Sequence, residues 1–226
     1  MGNKKKDWRL ETSKFKKFWY YVWYDESLLA HMLYFGLAFI FIKFMLFPTL
    51  GLFLNNDYPI VAIVSGSMQH KIVDGQVCGN LVSEENGGLS YDSWWSICGS
   101  YYEDNFGITK EEFSDFEYSN GLNIGDVMVL YGRDVKDIEV GETLIFYPNM
   151  SCIGAPPGPV IHRLIEINEI DDQRIFTTKG DFNPQVWECM EREILEDRVI
   201  GVAVLRIPFI GYLKVFLNNI FEFIVG

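Results

Sequence analysis

D-V-M-V-L-Y (Asp126 to Tyr131) and E-T-L-I-F-Y (Glu142 to Tyr147) are two short runs of β-branched, aromatic and other apolar residues, bounded by Gly, Pro, Asn and Asp. Side chains of these types fit a pleated, half-buried surface, so both runs read as strands. Three more follow: Val160 to Ile167, Arg174 to Thr178 and Val199 to Ile207. Several short strands with turn punctuation and few helical periods predict a mainly β domain, built as a sandwich or a barrel-like sheet.

Upstream of these strands the pattern changes. Gln76 to Asn123 is rich in glycine, serine, Tyr and Trp and carries the acidic patch K-E-E-F-S-D-F-E-Y. It reads as a loop-rich insertion, 76–123, with one helical turn near Lys110 to Phe116. Its aromatics, Tyr91, Trp94, Trp95, Tyr101 and Tyr102, suit contact with lipid headgroups, a cover over a cleft, a partner surface, or simple packing of the insertion on itself.

Further upstream, Leu28 to Leu54 is an apolar segment of 27 residues, interrupted by His31, Lys43 and Pro48. A helix needs about 20 apolar residues to cross the hydrocarbon, so 25–54 reads as a retained membrane anchor. A cleavable leader has a shorter apolar core, about 7–15 residues, and no Ala-x-Ala site follows Leu54. Lys43 near the middle costs about 2.5–3.5 kcal/mol unless it snorkels or finds a partner. Lys4, Lys5, Lys6, Arg9, Lys14, Lys16 and Lys17 make 1–24 a basic segment, which the positive-inside rule keeps cytoplasmic. The rest, 55–206, is then an external or lumenal domain of one core. The apolar residues 207–226 carry Lys214 and Glu222 and fit an interfacial helix or a second span.

Charge and cysteines narrow the partners. Asn55 to Arg206 holds 26 Asp and Glu against 10 Lys and Arg, a formal charge of −16. Nucleic acid is disfavoured as a partner, because binding phosphates needs cations. Cys78, Cys98, Cys152 and Cys189 all fall in the external part, where disulfides persist. No pair has C-x-x-C spacing, which disfavours zinc, and no cofactor motif is present. Of three possible pairings, Cys78 with Cys98 and Cys152 with Cys189 joins nearest neighbours; the sequence does not choose among them. Asn149-Met150-Ser151 matches a glycosylation sequon.

The chemistry points to Ile60 to Asp74, I-V-A-I-V-S-G-S-M-Q-H-K-I-V-D, where the tetrad Ser65-Gly66-Ser67-Met68 follows closely behind the anchor. A serine hydroxyl is a poor nucleophile without a neighbouring base. His162 and His70 are the two external histidines, and an imidazole with its ordinary pKa of about 6.5 suits general-base work near neutrality. His70 stands three residues from Ser67, too near along a turn to reach the hydroxyl well, and reads as structural or substrate-contacting.

The order of motifs resembles that of type I signal peptidases, in the archaeal and endoplasmic reticulum branch where histidine replaces the bacterial lysine. The resemblance rests on S-G-S-M (Ser65 to Met68), I-G-D-V-M-V-L (Ile124 to Leu130), V-I-H-R-L-I (Val160 to Ile165), T-K-G-D-F-N-P (Thr178 to Pro184) and I-G-V-A-V-L-R-I-P-F-I-G (Ile200 to Gly211). Each block is short; five in order behind an anchor are specific. The resemblance implies Ser67 as nucleophile, His162 as base, and the Ser67 N–H with the Ser65 hydroxyl as oxyanion donors. Asp181 in the G-D-F-N turn is the expected acidic partner of His162, although an Asx turn would explain it equally. Relatives carry a second acid six positions after the first; here that place holds Trp187, and Glu188 next to it is the reserve. Lys179 reads as a solvated or turn-binding lysine. The implied substrates are secretory preproteins with small residues one and three before the cut, bound as an added strand. Membrane lipid, a Sec translocon and other signal peptidase subunits are the further partners implied. The departure at Trp187 and the long insertion leave a second reading, an inactive membrane scaffold or peptide-binding protein.

Overall fold

The structure is a computed structural model and describes residues 13–83 and 85–212. Residues 1–12, half of the basic segment 1–24, and the C-terminal apolar segment from residue 213 on therefore lie outside the described residues. The chain divides into two compact units, residues 1–53 and 54–226.

The first unit is helical. Helix α1 spans Lys14–Tyr24, and a short turn leads to α2, Leu28–Phe41, whose N-cap Ser27 accepts a hydrogen bond from Ala30 N–H at 3.3 Å. A π-helical stretch, Ile42–Leu46, then joins α3, Phe47–Leu54. Pro48 explains the change of pitch: it has no N–H and its ring presses on the preceding turn. The chain widens just ahead of it, so that the Phe47 N–H reaches the Ile42 carbonyl, five residues back. Together Leu28–Leu54 forms one helix long and apolar enough to cross a membrane. Lys43 rests its ammonium over the rings of Phe39 and Phe44, 5.9 and 5.5 Å from their centroids, which lowers the cost of its charge there.

The second unit is built on a seven-stranded antiparallel sheet. In chain order its elements are β1 (Ile60–Ala62), the short strands β2 (Lys71–Ile72), β3 (Gln76–Val77), β4 (Asn80–Leu81) and β5 (Gly87–Gly88), then helices α4 (Tyr91–Phe106) and α5 (Lys110–Asp115). There follow β6 (Val127–Tyr131), β7 (Thr143–Phe146), β8 (Val160–Ile170), β9 (Gln173–Lys179), the one-turn helix α6 (Glu188–Glu191), β10 (Ile194–Leu195) and β11 (Val199–Ile207). The large sheet runs β1-β6-β11-β7-β8-β9-β10, while β2 pairs with β5 and β3 with β4. Register shifts in β11, between Val199 and Gly201 and between Ala203 and Leu205, and in β8, between Leu164 and Glu166, let the sheet curl. The mainly β, barrel-like fold with an apolar helix before it is thus present.

Both faces of the sheet are covered. Alternation along β7 sends Ile145 to a cluster with Met68, Met128, Leu130 and Ala203, and sends Leu144 and Phe146 to another with Leu164, Phe176 and Val202. A third cluster belongs to the insertion and corrects its expected loop-rich character. Residues 91–106 form a 16-residue helix, capped by Ser90, whose Oγ accepts from Ser93 N–H, and closed by Gly107 in the left-handed region. Trp94, Trp95, Cys98 and Tyr102 share one face of this helix and are buried with Phe113 of α5, Ile108 and Ile165. Aromatic, Ser and Gly residues are indifferent helix formers, so burial of this face, not propensity, holds α4 in place. The helical turn expected near Lys110 is α5, with a capping box between Thr109 and Glu112.

Candidate active site

Four segments converge on one cleft of about 750 Å³: the end of β1 with the serine tetrad, the start of β8, the turn after β9, and α6. Its walls are mostly apolar, with Phe146, Val160, Val186, Trp187 and Met190 around the polar groups. Ser65 and Ser67 sit at the tetrad turn, closed by a hydrogen bond from Gln69 N–H to the Gly66 carbonyl at 3.0 Å. Their hydroxyls lie 3.3 Å apart.

The Ser67 Oγ is 2.9 Å from His162 Nε2. Strand alternation aims His162 into the cleft from β8, where it is buried apart from its edge. Its other nitrogen, Nδ1, meets Glu191 Oε1. That carboxylate, itself buried, also accepts from the Gly180 N–H at 3.2 Å and from the Trp187 N–H. A carboxylate facing Nδ1 assigns the imidazole proton to that nitrogen and leaves Nε2 as acceptor for the serine hydroxyl.

The structure therefore brings Ser65, Ser67 and His162 together, and puts Asp181 elsewhere. Asp181 is wholly buried under the insertion and accepts from Arg163 Nε and Nη2 at 3.0 and 2.8 Å, from His70 Nε2 at 3.0 Å and from Tyr102 Oη at 3.2 Å. The Arg163 guanidinium and the His70 bond hold its carboxyl far below the usual carboxylate range, against the upward push of burial. This corrects the expected pairing of Asp181 with His162. The physical cause is alternation: His162 and Arg163 are consecutive on β8 and point to opposite faces, and Asp181 lies on the arginine side. Glu188, the reserve, lines the cleft but pairs with Arg192 at 2.7 Å on the exposed side of α6.

Glu191 is the residue that sequence reasoning missed. Its carboxylate reaches back to the N–H of the N-cap residue, Trp187, from one place beyond the position a capping-box Glu takes, and Trp187 has no side-chain acceptor to return the bond. Cys189 lies on the same helix, and its disulfide to Cys152 fastens α6 to the loop between β7 and β8; the other disulfide joins Cys78 to Cys98. His70 stands outside the cleft lining, stacked on Trp94 at 3.7 Å. Lys179 is buried and donates to the carbonyls of Gly180 and Asn183, a turn-binding lysine. Among the described residues no group of three or more His, Cys, Asp or Glu side chains is arranged to hold a metal ion.

A serine, an imidazole and a carboxylate in line are the groups of nucleophilic acyl transfer. No family model matches the chain. It is 29% identical over 161 residues to an uncharacterized protein of Methanocaldococcus jannaschii, covering 65% of this chain and 79% of that one. To the signal peptidase complex catalytic subunit SEC11 of Yarrowia lipolytica it is 30% identical over 106 residues, covering 44% of this chain and 58% of the subunit. The corresponding subunit of Colletotrichum graminicola is 26% identical over 100 residues, covering 42% and 55%. The chain spans little more than half of these two fungal subunits, to which it is distantly homologous.

Proposed function

We propose that this distant relative of signal peptidase catalytic subunits is a membrane-anchored serine endopeptidase that removes signal peptides from secretory preproteins. Ser67 is the nucleophile, His162 the general base and Glu191 the group that orients the imidazole and stabilises its charged form. The observation that carries this reading is the pair of contacts from Ser67 Oγ to His162 Nε2 and from His162 Nδ1 to Glu191, in an apolar cleft. Glu191 also stands in for the second carboxylate that Trp187 displaces, whose absence, together with the long insertion, favours the alternative reading as an inactive scaffold.

His162 takes the Ser67 proton as Oγ bonds to the carbonyl carbon of the small residue that precedes the cut. The Ser67 N–H and the Ser65 hydroxyl face the oxyanion; loss of one such donor typically costs about 2.7–4 kcal/mol of transition-state stabilisation. The C–N bond then breaks, the leaving amine takes the proton from His162, and water, activated by the same imidazole, hydrolyses the acyl-enzyme. Substrate binds extended along the cleft as an added strand. The helix Leu28–Leu54 anchors the enzyme with the N-terminus cytoplasmic and residues 55–206 outside. Tethering raises the local concentration of membrane-bound substrate. A Sec translocon and other signal peptidase subunits are the partners this role calls for.

The test is cleavage of a preprotein whose signal ends in Ala-x-Ala by the full-length protein in lipid, beside Ser67→Ala and His162→Ala. Cleavage after the small residue by the wild type alone supports the reading. A folded, inserted and inert wild type counts against it.

A further inference from the structure

Asp181, Lys179 and His70 are buried polar residues that the proposed mechanism leaves unused, and they meet at the turn 180–183. This turn touches every member of the Ser67, His162 and Glu191 line. A Cβ on Gly180 would stand 2.8 Å from the Ser67 carbonyl oxygen and 2.9 Å from His162 Nε2, so the backbone itself is the floor beneath the pair. The Gly180 N–H donates to Glu191, and the Phe182 N–H holds the Ser67 carbonyl at 2.8 Å. Where this turn sits decides where the nucleophile and its base sit.

Two buried charges flank the turn. On one side the Lys179 ammonium clamps the carbonyls of Gly180 and Asn183 at 3.1 and 2.8 Å. On the other, Asp181 is locked by Arg163 and His70. A single hydroxyl from the insertion joins them: Tyr102 Oη donates to Asp181 at 3.2 Å and accepts from Lys179 Nζ at 3.3 Å. Burial and the neighbouring Asp181 push the Tyr102 phenol well above its ordinary pKa, which keeps its proton available for donation. Its ring is gripped by Trp94, Trp95 and Phe113, with centroids 5.9, 6.0 and 5.0 Å away. The Cys78–Cys98 disulfide fastens α4 to the segment whose Cys78 N–H bonds the Phe182 carbonyl at 3.1 Å.

We infer that Tyr102 is a positioning residue for the Ser67 and His162 pair, and that the insertion 76–123 is thereby a working part of the site. The inference rests on the Ser/His reading above. Lys179 gives it a distinct signature. Burial draws the ammonium down to about 8, while Asp181 and Glu191 sustain it and Arg163 opposes it. The rings of Tyr101 and Tyr102 lie 5.5 and 4.7 Å from its Nζ, and Asp104 of α4 lines the small cavity beside it. His70 is paired with Asp181 and His162 with Glu191. Loss of the ammonium as pH rises releases the two carbonyls and slackens the turn. Removal of the phenol oxygen takes one of three acceptors from the ammonium, so Lys179 deprotonates at lower pH.

The experiment is Tyr102→Phe in the full-length protein, assayed on the Ala-x-Ala preprotein from about pH 6 to pH 10 beside wild type and Ser67→Ala, with thermal unfolding measured on each. Expected is a fall in kcat of about 10- to 100-fold, as misplacement of reacting groups gives, with KM held within about twofold and the alkaline limb of kcat moved to lower pH. A Tyr102→Phe protein with wild-type kcat and pH profile, while Ser67→Ala is inert, overturns the inference whatever the melting temperature does. A Ser67→Ala protein that still cleaves overturns the reading beneath it. If Tyr102→Phe does not fold, the wild type decides: a kcat flat from about pH 7 to pH 10 overturns the coupling through Lys179.

Discussion

Two buried carboxylates lie near the proposed nucleophile, and they are held for different ends. Glu191 faces His162, whereas Asp181 neutralises Arg163, a guanidinium with no exposure that also bonds the carbonyls of Glu117, Tyr118 and Gly141. Glu191→Gln should therefore lower kcat by about 10³–10⁴-fold, as loss of a triad carboxylate does, while KM and the melting temperature move little. Asp181→Asn should behave oppositely. It strands a buried charge and should destabilise the protein by about 3–5 kcal/mol, with kcat per folded molecule falling far less than in Glu191→Gln. Denaturant unfolding and steady-state kinetics on both variants separate the two roles; equal kinetic losses at equal stability would contradict the assignment. That Ser65, Ser67 and His162 meet in one cleft was legible from the sequence because motif and chemistry agree on them. Asp181 pairs instead with Arg163, the neighbour of the expected partner, because the side of a turn that a carboxylate faces is decided by contact with a strand residue 18 positions earlier in the chain.

At the scale of elements, short runs of β-branched, aromatic and other apolar residues between turn residues disclosed β6, β7, β8, β9 and β11, but α4 stayed hidden. Its residues prefer other conformations, and only the neighbours it packs on make it helical. The helix α6 is a single turn, too short to stand alone, and it carries Glu191. The Cys152–Cys189 disulfide supplies its support, closing 37 residues. Removing it with Cys152→Ser and Cys189→Ser should reduce stability by about 3–4 kcal/mol by the loop-entropy relation, and should lower kcat in the fraction that remains folded. Unchanged kcat in that fraction would show that α6 holds its place unaided. Helix α1 invites a test of its own. At 100° per residue, Phe15, Phe18, Trp19, Val22 and Trp23 fall on one arc and Lys14, Lys16, Lys17, Tyr20, Tyr21 and Tyr24 on the other. Phe15 and Trp23 are largely exposed, at 72% and 59%. In proteoliposomes, cysteines placed singly along 14–24 should react with a water-soluble thiol reagent on the second arc and be protected on the first, the pattern of a helix lying in the interface. Uniform reactivity would remove that expectation.

For the whole molecule, charge sets the response to medium. The 26 acidic against 10 basic residues of 55–206 repel one another, and salt screens that repulsion within about 10 Å at 0.1 M. Raising NaCl from about 0.02 to 0.3 M should lift the melting temperature by roughly 2–4 °C, the shift that about 1 kcal/mol gives a domain of this size; an unchanged or lower value would refute it. Acid acts in the other direction. Asp181 is ionised in the folded state far below the pH at which a free carboxylate protonates, so its stabilisation is complete above about pH 4–5 and is lost as pH falls below that. Beneath both responses lies the pairing of β8. Sliding that strand by one residue would carry His162 into the core and Arg163 into the cleft, and would strand a guanidinium whose five hydrogen bonds have no counterpart there. The arginine is thus a register pin: by refusing every alignment but one, it fixes the address of the imidazole beside it, so that folding correctly and being competent for chemistry become the same event.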